Sequence, residues 1–134
     1  MDVVLVGGLL FQSNGQLSAG ALGIPGKRFG NQFPLAAPSN MYACTDGYIY
    51  GGVLLDSHWQ ALCGVLQRPD LAALRNSDRI AQREALDAML AQWCAARSRA
   101  EVVATLVHLG LTVTPVNTLW RQLLTSTFRR ATCR

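Results

Sequence analysis

Few side chains in this 134-residue sequence are able to carry chemistry: two histidines, four cysteines and eight carboxylates. A nucleophile needs a base within hydrogen-bond reach, and a metal needs ligands grouped in space. His58 and His108 stand far apart, one beside Trp59 in the first turn of a helical pattern and the other in the last turn before Gly110, where a cation complements the helix dipole. Cys44, Cys63, Cys94 and Cys133 are separated by 19, 31 and 39 positions, without a C-x-x-C or a short Cys/His spacing, so no metal site is expected. Cys63 and Cys94 fall on apolar helical stripes, where a thiol acts as a small hydrophobe, which points to reduced cysteines and a cytoplasmic location. G-x-S-x-G, H-E-x-x-H and G-x-x-x-x-G-K-[ST] are all missing. Asp46 reads as a turn residue rather than a nucleophile. No catalytic residue is assigned, and no cofactor is expected.

Gly20-x-x-Gly23-x-x-Gly26 with Gly30 invites a phosphate-loop reading. Such a loop needs a strand before it and a helix after it, so that backbone N–H groups converge on the anion. Pro25 and Pro34 interrupt any such helix, and a connector is favoured. The chain carries 12 basic and 8 acidic residues, and the excess lies in its second half, where ten arginines face five carboxylates. Arg68, Arg75, Arg79, Arg83, Arg97 and Arg99 are spaced through helical patterns and read as solvated faces. Arg129, Arg130 and Arg134 follow a helical pattern and complement its dipole. No aromatic residues interleave with these cations, so nucleic acid is not an expected partner. The apolar run Val3 to Phe11 is far short of the roughly 20 residues that span a bilayer, and a membrane is not expected either.

The elements that would hold these residues follow from periodicity. Half of the residues are apolar and 15% are charged, enough to bury one core. Seven of the twelve glycines lie in residues 1–30, and three of the five prolines in 25–38, giving an apolar helical segment and then an extended linker. Asn40 to Thr45 and Tyr48 to Leu55 read as two antiparallel strands around Asp46-Gly47, a dipeptide suited to the positive φ angles of a tight hairpin. Gly51-Gly52 marks either a bulge or a close backbone approach. Asp56 is placed to cap a helix bearing Trp59, Leu62, Cys63 and Leu66 on one face. A second helix starts near Ser77 or Asp78 and carries Leu86, Met89, Leu90 and Trp93. Ser98-Arg99-Ala100-Glu101 is a capping box for a third that ends at Gly110. Leu111 to Val116 reads as a short strand, and Asn117 as the cap of a last helix through Trp120 and Phe128. The expected fold class is α+β: a hairpin plus a short strand packed with about four helices, preceded by an apolar N-terminal helix and linker. Residues 1–40 form the helix and connector, and 41–134 the small α+β domain.

The order of these residues resembles a known family. Arg28-Phe29-Gly30-Asn31-Gln32-Phe33-Pro34, Ala37-Pro38, Tyr42, Thr45-Asp46-Gly47, Trp59 to Cys63, Arg68-Pro69-Asp70-Leu71, Arg83 and Pro115-Val116-Asn117-Thr118-Leu119 are similar in succession to the family III CoA-transferases, a group with formyl-CoA transferase, the carnitine CoA-transferase type and α-methylacyl-CoA racemase. The resemblance implies a connector plus small domain, whose full-length relatives add a CoA-binding large domain and interlock as dimers. It also implies that the nucleophilic aspartate, which forms acyl-anhydride and CoA-thioester intermediates, lies upstream of the matched part, as does the racemases' His/Asp pair. Asp2 matches a later position and does not inherit that role. Gly30 and Asn31 stand where the transferases' glycine-rich active-site loop begins, although Gln32-Phe33-Pro34-Leu35 departs from the glycine-rich form. They are either a turn entering the hairpin or a substrate-facing remnant. The expected function is the small domain of a CoA-transferase, not catalytic alone. A stand-alone assembly module and a racemase-type fragment are the alternatives. The apolar residues from Val3 to Phe11 cover nearly every side of a short helix, which predicts a homodimer through the N-terminal segment.

Overall fold

The computed structural model describes residues 6–8 and 16–123. The expected N-terminal helix over Val3 to Phe11 falls mostly outside them, as do Cys133, the basic C-terminal residues and the last helix beyond Leu123. Two compact units divide at Gly30/Asn31. In the first unit, α1 (Gln16–Ala21) is closed when Ile24 N–H reaches back to the Ala19 carbonyl at 2.9 Å. The chain then runs without regular structure through residues 24–29, so no helix follows the glycine triplet.

In the second unit, β1 (Ser39–Cys44), β2 (Gly47–Gly52) and β3 (Thr112–Pro115) form an antiparallel sheet in that order. Between them in sequence come α2 (Asp56–Val65), a 3-10 turn (Pro69–Leu71), α3 (Asn76–Ala81), α4 (Arg83–Ala95) and α5 (Arg99–His108), and α6 (Leu119–Leu123) follows β3. The fold is α+β, as the periodicity predicts. Pleating turns Tyr42 and Ile49, which are register partners, into the core, while Tyr48 and Tyr50 face outward. Helix α4 packs on β1, and α5 on β2 and β3. Trp59, Leu62 and Cys63 from α2, Leu86, Leu90 and Cys94 from α4, and Val102 and Leu106 from α5 complete the core. Each large apolar side chain buried there stabilises the fold by about 1.5–3 kcal/mol.

Several local expectations change. The hairpin register pairs Cys44 with Gly47, so Thr45 and Asp46 are the loop, and only Gly47 has positive φ, at +137°. Asp46 is held differently: its carboxylate accepts from the Arg99 backbone N–H at 2.7 Å. Gly47 suits this position through its positive φ, and a Cβ there would also crowd Arg99 Nε at 3.1 Å. Gly51-Gly52 is a close approach and not a bulge, since the pairing with β1 and β3 continues unbroken. A Cβ on Gly52 would sit 2.5 Å from Ser39 Oγ, and one on Gly51 3.3 Å from Val113. Asp56 is the first residue of α2 rather than its cap, and its carboxylate faces Arg79 at 2.7 Å. The helix expected from Ser77 is broken at Gln82 into α3 and α4. The capping box of α5 forms as expected: Glu101 N–H donates to Ser98 Oγ, and Ser98 N–H to the Glu101 carboxylate. Beyond Gly110, the Leu111 N–H returns to the Leu106 carbonyl at 3.0 Å and ends the helix.

Candidate functional site

Residues 32–38, Gln-Phe-Pro-Leu-Ala-Ala-Pro, form a strap of turn and bend within the second unit, with Ala36, Ala37 and Pro38 buried and the Ala37–Pro38 peptide cis. A strap with two prolines lacks two N–H donors and cannot join a full ladder, so its carbonyls need donors from elsewhere. Four side chains spaced 3, 4 and 4 along α3 and α4 meet that need. Asn76 Nδ2 donates to the Leu35 carbonyl at 2.9 Å, and Arg79 Nε to Ala37 at 2.7 Å. Arg83 forks onto Phe33 and Pro34 at 2.7 and 3.1 Å. Asp87 accepts from Gln32 at 2.9 Å, Asn40 at 3.1 Å and Tyr42 Oη at 2.7 Å.

These contacts correct the reading of the arginines. Arg79 is fully buried, with its guanidinium 5.6 Å from the Trp59 ring, while Arg83 and Arg99 are 8% and 9% exposed. None of the three is a solvated face. The signal that would have found Arg79 and Arg83 is the coincidence of one polar helical stripe with a proline-bearing segment, whereas Arg99 answers to the hairpin loop at Asp46.

A second polar node joins three sequence motifs. Asp46 accepts from Arg99 N–H and from Arg99 Nε at 3.3 Å, Arg99 Nη1 donates to the Val116 carbonyl at 3.2 Å, and Thr45 N–H reaches Arg97. The Arg99 N–H, and then its guanidinium, hold the Asp46 carboxyl below the usual carboxylate range. Two adjoining shallow clefts of about 390 and 410 Å³ open here, both lined by Asp46, Arg99, Asn117 and Arg121. The hydroxyl of Thr118 accepts the Arg121 N–H at the start of α6.

Reactive groups are otherwise subdued. Burial pushes the Cys94 thiol up to about 12, and burial also raises Cys44 and Cys63, so all three are poor nucleophiles. All three are free thiols. Burial, then the Asp87 carboxylate, drives the Tyr42 phenol far above its ordinary value. His58 Nδ1 is buried without a partner among the described residues, and His108 is exposed. Among the described residues no three His, Cys, Asp or Glu side chains gather as a cation site, and no helix is long and apolar enough to cross a membrane. Gly30 and Asn31 both lie exposed in a turn, Gly30 with φ +60°, immediately before the strap.

Comparison with known proteins places this architecture. The family model described as CoA-transferase family III matches residues 2–132. This chain belongs to CoA-transferase family III. Among family III relatives, succinyl-CoA:mesaconate CoA-transferase of Haloarcula marismortui is 41% identical over 71 residues, which is 52% of this chain and 18% of that protein. An acyl-CoA transferase of Fusarium pseudograminearum is 31% identical over 102 residues, 73% of this chain and 22% of that protein. The crystal structure of a CAIB/BAIF family protein from Brucella suis superposes with a TM-score of 0.74 at 29% identity, covering 88% of this chain and 32% of that one. The chain thus spans about a fifth of the curated family III relatives it matches and about a third of the solved structure.

Proposed function

We propose that this chain is the connector and small domain of a family III enzyme that moves CoA between carboxylic acids, with residues 1–40 as connector and 41–134 as small domain. It turns over only with a CoA-binding large domain. The observation that carries this reading is the engagement of its charged groups. Arg79, Arg83, Asp87 and Arg99 are bonded to carbonyls, amides, a phenol or a neighbouring carboxylate within the fold, and the described thiols are held protonated. Thioester exchange through an enzyme-bound anhydride needs an ionised, unsaturated nucleophile beside the CoA sulfur. We assign that group to the CoA-binding large domain. Exposed Gly30 and Asn31 face the substrate, at the point where the chain enters the fixed strap. Transferase names on the curated relatives favour acyl transfer over racemisation. The apolar segment in residues 1–24 makes a second copy of the chain its partner, and the three free thiols accord with a cytoplasmic location.

The chain is to be assayed with succinyl-CoA as donor and mesaconate as acceptor, the pair in the name of the Haloarcula relative. No turnover is expected from it alone. Turnover above background that vanishes when one carboxylate of this chain is replaced would overturn the proposal.

A further inference from the structure

Every rung between α3–α4 and the strap is a side-chain contact, and the last rung, Gln32 to Asp87, stops one residue short of Asn31. Past it, the Phe33 N–H donates to the Ser39 carbonyl at 3.0 Å, closing the strap's start onto the first residue of β1. Arg83 holds the carbonyls of Phe33 and Pro34, so consecutive peptide planes are fixed by one fork. Asp87 ties the same place to the sheet, because its other partners, Asn40 and Tyr42, are on β1. Asp87 is itself 7% exposed, and a carboxylate so buried is retained with three donors only where the geometry they impose is kept.

We propose that Arg83 and Asp87 are positioning residues for Asn31: they set the peptide planes at Gln32–Pro34 and so fix the direction in which Asn31 is presented. The assignment rests on the substrate-facing reading of Gly30 and Asn31, and the chemistry presented there is an amide able both to donate to and accept from a substrate carboxylate or thioester carbonyl. Neither positioning residue touches the substrate.

The test is amide hydrogen exchange on the full chain, read at Phe33 in the strap and at Val102, whose N–H donates to Ser98 inside the core helix α5. Gln32→Ala, Arg83→Gln and Asp87→Ala are expected to speed exchange at Phe33 at least 10-fold with little change at Val102. Asp87→Asn is expected to restore most of the protection, because the Gln32 amide can turn over and offer its oxygen to the new donor, while the Asn40 oxygen stays with the Met41 N–H. Tyr42→Phe removes a bond to the same carboxylate without touching the strap, and is expected to leave Phe33 unchanged relative to Val102. Equal acceleration at both amides, or no change at Phe33 in the three strap variants, would overturn the assignment. Turnover by the assembled transferase separates the underlying reading: a neutral Asn31→Ala there would refute the substrate-facing role of Asn31 even if the exchange results hold.

Discussion

Replacing Arg79 by leucine removes a wholly buried guanidinium that donates to the Ala37 and Leu74 carbonyls at 2.7 and 2.8 Å and to the Asp56 carboxylate at 2.7 Å. Hydrophobic replacement of a buried ionic cluster is often neutral or stabilising when every partner is replaced together. Here the main partners are backbone carbonyls that remain, and each buried acceptor left unpaired costs about 1–3 kcal/mol. The Asp56 contact adds little, about 0–1 kcal/mol, because that carboxylate is half exposed. Leucine offsets part of the loss by filling volume beside Trp59, and a net destabilisation of about 3 kcal/mol remains. A domain of this size has a total stability of about 5–15 kcal/mol. With a urea slope of about 1–3 kcal/mol per molar, the midpoint falls by about 1 M or more. Arg79→Lys keeps the charge but not the fork, and is expected between the two, while Asp56→Asn is expected within about 1 kcal/mol of the parent. Equilibrium urea unfolding measures all three. An Arg79→Leu chain within 1 kcal/mol of the parent would refute the view that this arginine supports the strap and not merely the solvated face of α3.

Gly52→Ala is expected to destabilise by about 1–3 kcal/mol, because its methyl must displace Ser39 Oγ, and Ser39→Ala in the same chain should return part of that loss. A double-mutant cycle by thermal unfolding checks this, and strictly additive changes would exclude the close approach as the cause. Asp46 has its carboxyl pKa lowered by Arg99, so the unfolded chain binds the proton first as pH falls. Its contribution is complete above the unfolded value of about 3.9 and is lost as pH drops through the lower folded value. Unfolding series between pH 2 and pH 5 should therefore show a shallower acid limb in Asp46→Asn, and an unchanged limb would assign the acid sensitivity to other carboxylates.

Where backbone periodicity and local capping decide structure, the sequence was a good guide. Ser98 and Glu101 form their reciprocal cap because both partners lie within one turn, and Cys63 and Cys94 are buried because their stripes place them there. The antiparallel hairpin followed in the same way from alternation around Asp46-Gly47. Its exact turn did not, because the Asp46 carboxylate is claimed by Arg99, fifty-three residues away, and no local rule contains that partner. Arg79, Arg83 and Arg99 were misplaced for the same reason. Charge at helical spacing ordinarily means water, and only the tertiary neighbour of the stripe shows that here it means carbonyls. The turn at Gly30 and Asn31 ahead of a proline-bearing segment was legible, whereas the side chains that hold that segment were not.

The choice of arginine in the stripe follows from what the strap lacks. Pro34 and Pro38 have no N–H, so the segment cannot be an ordinary sheet strand, yet Ala36, Ala37 and Pro38 are buried and the Ala37 carbonyl takes its donor from buried Arg79. A lysine presents one compact ammonium at the end of a flexible stem. A guanidinium presents a planar fork, able to meet two carbonyls on successive peptides, as Arg83 does at Phe33 and Pro34, or two carbonyls and a carboxylate at once, as Arg79 does. Burying such a cation costs least when several of its donors are engaged, and engaged donors are no longer available to a ligand. Arg79 Nη2 is buried without a partner among the described residues, whereas the Asp87 carboxylate accepts from three neutral donors. A polar stripe of this kind shapes a neighbouring segment: Asn76, Arg79, Arg83 and Asp87 hold residues 32–37 by contacts that the segment's own prolines cannot supply.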